Sequence, residues 1–293
     1  MSPKPEGTRL NKYLASCGVG SRRACDAIIQ EGKVFVNNSR CDNPATRIGP
    51  DDAVRVGRKN VSPRKTEVVL LNKPVGLLCT AQDELGRDTI YEILPPKLHH
   101  LKNVGRLDKD SEGLIVLTND GELALKLTHP AQKVEKEYLV TLNQAFANEV
   151  MDHLVKGVHT PEGRAKAKSV RRVSPRRVRV VLETGLKRQI RYMFDALHLK
   201  VVKLVRIRIG TLEDRSLEPG RWRPLDESEI ECLSQNPTQQ KTPADVGRAI
   251  RKRPARKTAR KQAVRPAKKR AVHKTVKQRA KRAAKKLPRR RKK

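Results

Sequence analysis

Long hydrophobic runs are missing from this sequence of 293 residues. The start, MSPKPEGTRLNKYL, has no apolar core of the kind found in signal peptides, and no stretch reaches the ~18 apolar residues that a membrane-spanning helix needs. We therefore expect a cytoplasmic protein that is neither secreted nor inserted in a membrane.

Paired cysteines and nucleotide-binding motifs are also missing. The five cysteines, at positions 17, 25, 41, 79 and 232, form no CxxC motif and no spacing typical of a metal site. An odd number of scattered cysteines without a signal peptide indicates reduced thiols. The sequence also contains no P-loop and no dinucleotide-binding glycine motif. We therefore predict no metal and no cofactor.

Acidic residues are scarce relative to basic ones, and the formal net charge is +35. Residues 241–293 contain 25 of the 66 lysines and arginines and a single acid, Asp245. This leaves 41 basic and 30 acidic residues in the rest of the chain. Because cationic side chains release counterions when they bind phosphates, the charge predicts salt-dependent binding to nucleic acid. A membrane surface is the weaker alternative, since no amphipathic stretch accompanies the charge.

Residues 1–60 are expected to form a small α/β unit. RLNKYLASCG and SRRACDAIIQEG show helical spacing of apolar residues, and Ser21 is a candidate N-cap of the second helix. KVFVNN alternates like a strand and leads into an Asn-Asn turn, and DAVRVG alternates again. Residues 61–67 are polar and basic and are predicted to be a linker.

Residues 68–235 are predicted to form a larger domain of the α+β class. VVLLNKP, GLIVLTN, KEYLVTL, RRVRVVLETG and VVKLVRIRIG are typical of strands, and DGELALKLTH, ANEVMDHLVKG and KRQIRYMFDALH are typical of helices. Strands outnumber helices and no regular βαβ repeat is visible. This favours a mixed, mainly antiparallel sheet over a doubly wound one.

Residues 236–293 are rich in Ala, Lys, Arg and Pro and have almost no large apolar side chains. Such a segment cannot bury enough surface to offset the entropy lost on ordering, so we predict a disordered basic tail. Its charge favours an RNA-binding arm over a segment that serves solubility alone.

The stretch NVGRLDKDSEGLIVLTNDG, residues 103–121, groups the acids Asp108, Asp110 and Glu112. Their spacing matches the start of a calcium-binding EF-hand loop, but the twelfth position is Asn119 and a strand pattern replaces the outgoing helix. A phosphatase-type nucleophile would follow an apolar strand, whereas here the strand comes after the acids. A single nucleophilic carboxylate at Asp108 needs only a nearby guanidinium to keep it ionised.

Arg188 and Arg191 are candidate sources of that guanidinium. They stand three residues apart in a predicted helix and would face roughly the same way. An isolated pair of this kind is more often a surface ion pair, so spacing alone does not decide the matter.

Four motifs resemble, in order and spacing, those of the pseudouridine synthases: LNKPVGLLCT, VGRLDKDSEGLIVLTNDG, EKEYLV and TGLKRQIRYM. RLNKYLASCGVGSRRACDAIIQEGKVFVNN resembles the alpha-L, or S4, RNA-binding domain. This combination is similar to the RsuA-type branch of the family, and most of all to members that modify 23S ribosomal RNA. The resemblance covers residues 8–233 and implies an enzyme that isomerises uridine in RNA without metal or cofactor.

The resemblance implies a role for each matched catalytic residue. Asp108 would be the nucleophile and would attack either the anomeric carbon of the ribose or the uracil ring. Tyr138 would stack on the base and help to remove the carbon-5 proton. Arg191 would pair with Asp108. Lys73, Pro74 and Gly76 would be structural, and Asp110 and Glu112 would have no catalytic role.

RNA-binding residues are implied in the same way. Arg106 would enter the RNA stack where the target nucleotide has left it. Arg188 and four residues of the S4-like domain would contact structured RNA: Lys12, Arg22, Arg23 and Lys33. The sequence departs from the family pattern at Thr184, usually Glu, and at Tyr192, usually Arg, so contacts to RNA phosphates are expected to differ.

Two other functions were weighed. A non-catalytic RNA-binding or ribosome-assembly protein with the same fold is the main alternative, and the joint presence of Asp108, Tyr138 and Arg191 argues against it. A histone-like DNA-compacting protein would not need an ordered body of this size. The expected partner is 23S RNA or a pre-ribosomal particle, and we expect a monomer.

Overall fold

The computed structural model describes residues 7–81 and 83–237. The predicted basic tail, residues 236–293, lies outside this range except for its first two residues. Spatial contacts group the described residues in one unit. Domain limits at residues 60, 67 and 235 remain predictions.

The N-terminal part consists of two helices packed on a small sheet. Ser21 accepts a hydrogen bond from the Ala24 amide at 3.1 Å and so caps the second helix, as predicted. Leu10, Leu14 and Ile29 are fully buried in the core between these elements. The elements are β1 Thr8–Arg9, α1 Leu10–Ser16, α2 Arg22–Gln30, β2 Val34–Val36, β3 Ser39–Cys41, β4 Arg47–Ile48, β5 Val54–Val56 and β6 Lys59–Asn60.

The hairpin between β2 and β3 turns at Asn37 and Asn38. Both residues have positive φ, 49° and 67°, as a type I′ turn requires. Asparagine tolerates this left-handed conformation better than most residues, which explains the predicted Asn-Asn turn. The four strands of this sheet are ordered β3-β2-β5-β6.

A nine-stranded sheet forms the centre of the larger part, with the path β13-β14-β10-β15-β9-β7-β17, β16 beside β15 and β8 beside β9. Its elements and the accompanying helices are β7 Val68–Lys73, β8 Lys102–Val104, β9 Glu112–Thr118, α3 Gly121–Thr128, β10 Lys136–Leu142, α4 Glu149–Lys156, β11 Val158–Thr160, β12 Gly163–Ala165, β13 Ser169–Ser174, β14 Arg177–Leu182, α5 Gln189–Asp195, β15 Val201–Ile209, β16 Leu212–Glu213, β17 Trp222–Pro224 and α6 Glu227–Ser234. Short 3-10 helices lie at Ile90–Ile93, Pro96–Leu98 and Pro130–Gln132. Within the described residues this sheet is antiparallel except for the β15–β9 pair, which confirms the predicted α+β class.

The parallel β15–β9 pair depends on Gly113. A Cβ at this position would lie 2.2 Å from the Arg206 carbonyl oxygen, and the residue has a φ of +107°. Only glycine combines this backbone conformation with so close an approach. The pairing places Arg206 beside the strand that follows Asp108.

Three hydrophobic cores flank the sheet. The first core includes Met193 and Phe194 of α5, and the second includes Leu127 of α3 and Leu233 of α6. The third includes most of the buried apolar side chains between residues 79 and 107. Tyr138 packs against the first and the third. Two predicted helix limits are confirmed: Asp120 caps α3 with bonds from the Glu122 and Leu123 amides, and Gly157 ends α4. The helix α5 is shorter than the predicted segment 187–198, and α6 was not predicted. None of the helices in the described ranges is long and apolar enough to span a membrane.

Candidate active site

Asp108 lies in the turn between β8 and β9. Leu107, directly before it, is buried in the hydrophobic core, which fixes the backbone on one side. The Ser111 amide donates to the Asp108 carbonyl at 3.0 Å and closes the turn. Residues 113–118 of β9 are buried throughout. The nucleophile candidate is therefore held between a buried anchor and a buried strand.

Lys73, the last residue of β7, holds this turn from the buried side. Its side chain is completely buried, and its ammonium donates to the carbonyls of Pro74, Asp108 and Ser111 at 3.0, 3.1 and 2.7 Å. Burial lowers the pKa of Lys73, and nearby acids oppose that change. The Gly76 amide also donates to the Lys109 carbonyl at 2.8 Å. These contacts support the structural role expected of the NKPVG motif.

The structure brings Asp108 and Tyr138 to one cleft of about 350 Å³. Tyr138 is half-buried on β10, directly opposite Val180 of β14 and Arg206 of β15. Arg106 and Arg188 line the same cleft, and Arg106 is exposed. Two of the expected catalytic residues and two of the expected RNA-binding residues thus line the same cleft.

Arg191 has a different partner from the one predicted. Its Nη2 donates to the Asp110 carbonyl at 2.9 Å and lies 3.2 Å from the Asp110 carboxylate. No ion pair joins it to Asp108 within the described residues. Arg191 therefore contacts the turn through Asp110. The reason is geometric: Asp108 faces the cleft, whereas Asp110 faces α5, where Arg191 is buried.

Arg188 binds the same carboxylate through both terminal nitrogens, at 3.3 and 3.2 Å from the two oxygens of Asp110. Burial raises the pKa of Asp110, but the hydrogen bond from Arg188 and the charges of Arg191 and Arg188 outweigh this and lower it. The expectation that both arginines face the same way is met. Arg188, however, precedes α5 as its N-cap, in a left-handed conformation with φ of 48°.

Thr184, one of the two departures from the family pattern, shapes the loop before α5. Its hydroxyl donates to the Gln189 side chain at 3.1 Å, and the Leu186 amide donates to the same oxygen at 3.1 Å. Gln189 is buried. Thr184 is exposed at the cleft and therefore ties the cleft wall to the buried Gln189 side chain.

The RNA-binding residues expected in the N-terminal part lie outside the cleft. Lys12 pairs with Glu122 of α3 at 2.6 Å, and Lys33 pairs with Glu31 at 2.5 Å. Arg22 and Arg23 are exposed at the start of α2, and Arg22 makes a 3.4 Å bond to Asn11. Arg22 and Arg23 are therefore more available to a polyanion than the two lysines.

Three cations of the cleft were missed from the sequence: Lys136 on β10, Lys187 before α5 and Arg206 on β15. Lys136 stands two residues before Tyr138, so strand alternation could have placed both side chains on one face. Arg206 carried no such signal, because its position depends on strand pairing. Glu137 points to the other face, where Arg208 and Arg179 pair with it at 2.8 and 3.2 Å.

Metal ligation was also considered. Across residues 7–81 and 83–237, no group of three or more His, Cys, Asp or Glu side chains is arranged to hold a metal ion.

Comparison with known proteins identifies the family. Residues 67–196 match the RNA pseudouridylate synthase family, and residues 8–54 match the S4 domain. The dual-specificity RNA pseudouridine synthase RluF of Escherichia coli K12 is 38% identical over 228 residues, covering 76% of this chain and 77% of that protein. Ribosomal large subunit pseudouridine synthase B of Pseudomonas aeruginosa is 35% identical over 243 residues, covering 79% of this chain and 63% of that protein.

Structural comparison agrees with these matches. A crystal structure of a pseudouridylate synthase superposes with a TM-score of 0.57 and 31% identity, covering 78% of this chain and all of that one. The order of S4 domain and synthase domain is the one that the sequence motifs predicted. The chain therefore belongs to the RNA pseudouridine synthases, isomerases that act on RNA, and carries an N-terminal S4 domain.

Proposed function

We propose that this pseudouridine synthase isomerises a specific uridine of 23S ribosomal RNA, with Asp108 as the nucleophile. The observation that carries the proposal is the shared cleft of Asp108 and Tyr138, whose volume of about 350 Å³ lies in the range of small-ligand sites. The choice of RNA is supported by the relative named for the large ribosomal subunit.

The chemistry requires the target base to leave the RNA stack. The exposed Arg106 stands at the cleft, where it can take the vacated place. Asp108 then attacks either the anomeric carbon, which displaces the uracil, or the uracil ring, to which it adds first. In both cases the bond from C1′ to N1 breaks, the ring turns, and C5 forms the new bond to C1′. The bond to Asp108 breaks as well, so the aspartate leaves as a free carboxylate. The C5 proton leaves and N1 gains a proton, so the product is an isomer.

Tyr138 and Arg191 have separate tasks in this proposal. Tyr138 stacks on the base and helps to remove the C5 proton, for which its place on the cleft wall is suitable. Arg191 acts at a distance from the base, because its contacts are to Asp110. It holds the turn, and the turn aims Asp108.

Recognition of the RNA would use several basic surfaces. Arg188 lies at the cleft, and Arg22 and Arg23 open α2 in the S4 domain. Residues 241–293 add 25 lysines and arginines and would strengthen binding without adding sequence specificity. The proposal includes a monomeric enzyme in the cytoplasm. Naked 23S RNA and a pre-ribosomal particle are both candidate substrates.

The test is to incubate the purified protein with unmodified ribosomal RNA and to map pseudouridine at nucleotide resolution. We expect one new site in 23S RNA with the wild type and none with Asp108→Ala. Asp83→Ala is the matched control, because Asp83 pairs with Arg87 at 2.7 Å and does not line the cleft. Modification that survives Asp108→Ala would refute the nucleophile, and a site in another RNA alone would refute the substrate.

A further inference from the structure

Among the described residues, two cationic side chains that are buried or half-buried line the catalytic cleft without a carboxylate partner: Lys136 and Arg206. Lys136 and Tyr138 are two residues apart on β10 and share one face of the strand. Arg206 faces Tyr138 from the neighbouring strand β15. In the described part of the chain, neither Lys136 nor Arg206 forms an ion pair with an acid. Buried charges are normally paired, so two unpaired ones in an active site call for a ligand.

Each cation keeps hydrogen-bonding capacity. The Lys136 ammonium donates to the Leu127 carbonyl at 2.9 Å, which occupies one of its three N–H groups. Arg206 is only 5% exposed and donates through Nε to the Leu114 carbonyl. Its Nη2 is buried and has no hydrogen-bond partner among the described residues. Of these two cations, Lys136 is the one that a ligand in the cleft can reach, because it is only half-buried.

The surroundings favour a neutral or partly charged oxygen over a phosphate as the ligand of Lys136. The cations suited to phosphates, Arg106 and Lys187, are exposed at the cleft, where an RNA backbone would pass. Lys136 lies beside Tyr138, where the extracted base is proposed to stack. The uracil ring carries carbonyl oxygens at C2 and C4, which accept hydrogen bonds.

We propose that Lys136 is a further catalytic residue, which donates a hydrogen bond to a carbonyl oxygen of the target uracil and stabilises the negative charge that the ring acquires. Arg206 is a positioning residue for Lys136. Its guanidinium adds positive charge beside the ring and leaves no room there for an acidic side chain. This inference rests on the proposed function.

The charge arises on either route of attack. When Asp108 attacks C1′, the C1′–N1 bond breaks and its electron pair leaves with the uracil, spread over N1, O2 and O4. When Asp108 adds to the ring, the displaced pair moves onto the ring carbonyl. Lys136 donates to the oxygen that carries this charge and keeps its proton. As C5 bonds to C1′, the electron pair of the ring forms the new bond and the bond to Asp108 breaks, so the negative charge returns to the aspartate carboxylate. The loss of the C5 proton and the gain of a proton at N1 then leave the ring neutral. Preorganised donors at developing charge account for large parts of enzymatic rate accelerations.

The proposal predicts that the reaction rate depends on pH through the protonation state of Lys136. Burial and the charge of Arg206 lower its pKa to about 8. The α3 side of the cleft is formed by Leu127, Thr128 and Pro130, which do not titrate. Glu183 is held by Lys168 at 2.8 Å. The charged or titratable side chains that line the cleft with Lys136 are Arg106, Asp108, Tyr138, Glu183, Lys187, Arg188 and Arg206.

The experiment compares single-turnover rates at saturating ribosomal RNA between pH 6 and 10 for the wild type, Lys136→Met and Lys136→Arg. The wild-type rate should fall as the pH rises through the pKa of Lys136. Lys136→Met should be about a hundredfold slower and should lack this fall, since it has no ammonium to lose. Lys136→Arg should keep most of the rate and should also lack the fall, because arginine stays charged. The control is Lys203→Met, a lysine on β15 that pairs with Glu112 at 3.1 Å and does not line the cleft.

The possible results distinguish a failure of the proposed function from a failure of the role proposed for Lys136. A wild type without any activity on RNA would overturn the proposed function and this inference together. With an active wild type, a Lys136→Met rate within threefold of wild type would overturn the inference alone. Equal losses in Lys136→Met and Lys136→Arg, with lower melting temperatures in both, would also overturn it, since they would show that Lys136 serves only the fold.

Discussion

Arg191 contacts Asp110 at two points: it donates to the backbone carbonyl at 2.9 Å and pairs with the carboxylate at 3.2 Å. Arg188 binds the remaining carboxylate oxygen. Two guanidinium groups at the start of α5 are thereby fastened to the turn that holds Asp108. The link between the arginine motif and the nucleophile passes through Asp110, two residues further along the turn.

Asp110→Asn should slow the reaction although the nucleophile itself, Asp108, is not substituted. The substitution removes the charge that holds Arg188 and Arg191, and a small displacement of a nucleophile is costly to the rate. We expect a single-turnover rate on the order of tenfold lower at saturating RNA. Asp83→Asn is the control and should match the wild type, because Asp83 pairs with Arg87 and neither residue lines the cleft. An unchanged rate in Asp110→Asn would show that the arginines do not position the turn.

The same carboxylate contributes to stability in a pH-dependent way. Its folded-state pKa lies below the ordinary value of 3.8, so the contribution is fully present above that value and is lost as the pH falls through the lower, folded-state pKa. Because the side chain is 46% exposed, solvent screening limits the contribution to less than about 1 kcal/mol. Urea unfolding of the wild type and Asp110→Asn should therefore differ most near neutral pH and converge in acid. A difference that grows in acid would contradict this assignment.

Local patterns in the sequence were sufficient for most of the helices and for the turn after β2. The cap residues Ser21, Asp120 and Gly157 act within one turn of their own helices, so their chemistry is visible in a short window. Asn37 and Asn38 are equally local. The motif order similarly placed Asp108 and Tyr138 at one site.

Contacts between distant strands could not be predicted in this way. Arg206 reaches the cleft because β15 pairs in parallel with β9 and antiparallel with β10, which no local pattern encodes. The partner of Arg191 was missed for a related reason. Helical spacing shows that two arginines share a face, but Asp108 and Asp110 are two residues apart in a turn, and only the fold decides which of them faces α5.

Gly113→Ala should disrupt the centre of the sheet. The added Cβ would meet the Arg206 carbonyl oxygen at 2.2 Å, and the φ of +107° is strained for any residue with a side chain. We expect a loss of unfolding free energy of about 3 kcal/mol or more, because backbone must move, and a weaker site, because Arg206 moves with it.

Gly121→Ala is the matched control for that experiment. Gly121 is the first residue of α3, and beyond its own helix and chain neighbours nothing lies within 4 Å of the place that the added methyl carbon would take. Alanine favours helices over glycine, so stability should stay the same or rise by up to about 1 kcal/mol. Chemical denaturation followed by circular dichroism measures both variants. Equal stability of the two would show that strands β9 and β15 are further apart at Gly113 than a 2.2 Å approach implies.

The double substitution Arg22→Ala and Arg23→Ala should weaken RNA binding and make it less dependent on salt concentration. Both side chains are exposed at the N-terminus of α2, where free backbone amides also attract phosphate. Each phosphate contact that is lost should lower the slope of log K against log salt by about 0.7 to 0.9. Titration of ribosomal RNA at several salt concentrations measures this slope. Arg215→Ala removes an exposed arginine outside the S4 domain, paired with Glu213 at 3.1 Å, and should leave the slope unchanged. Equal slopes for the double variant and the wild type would place the RNA on another face of the S4 domain, because the charge of α2 would then play no part in binding.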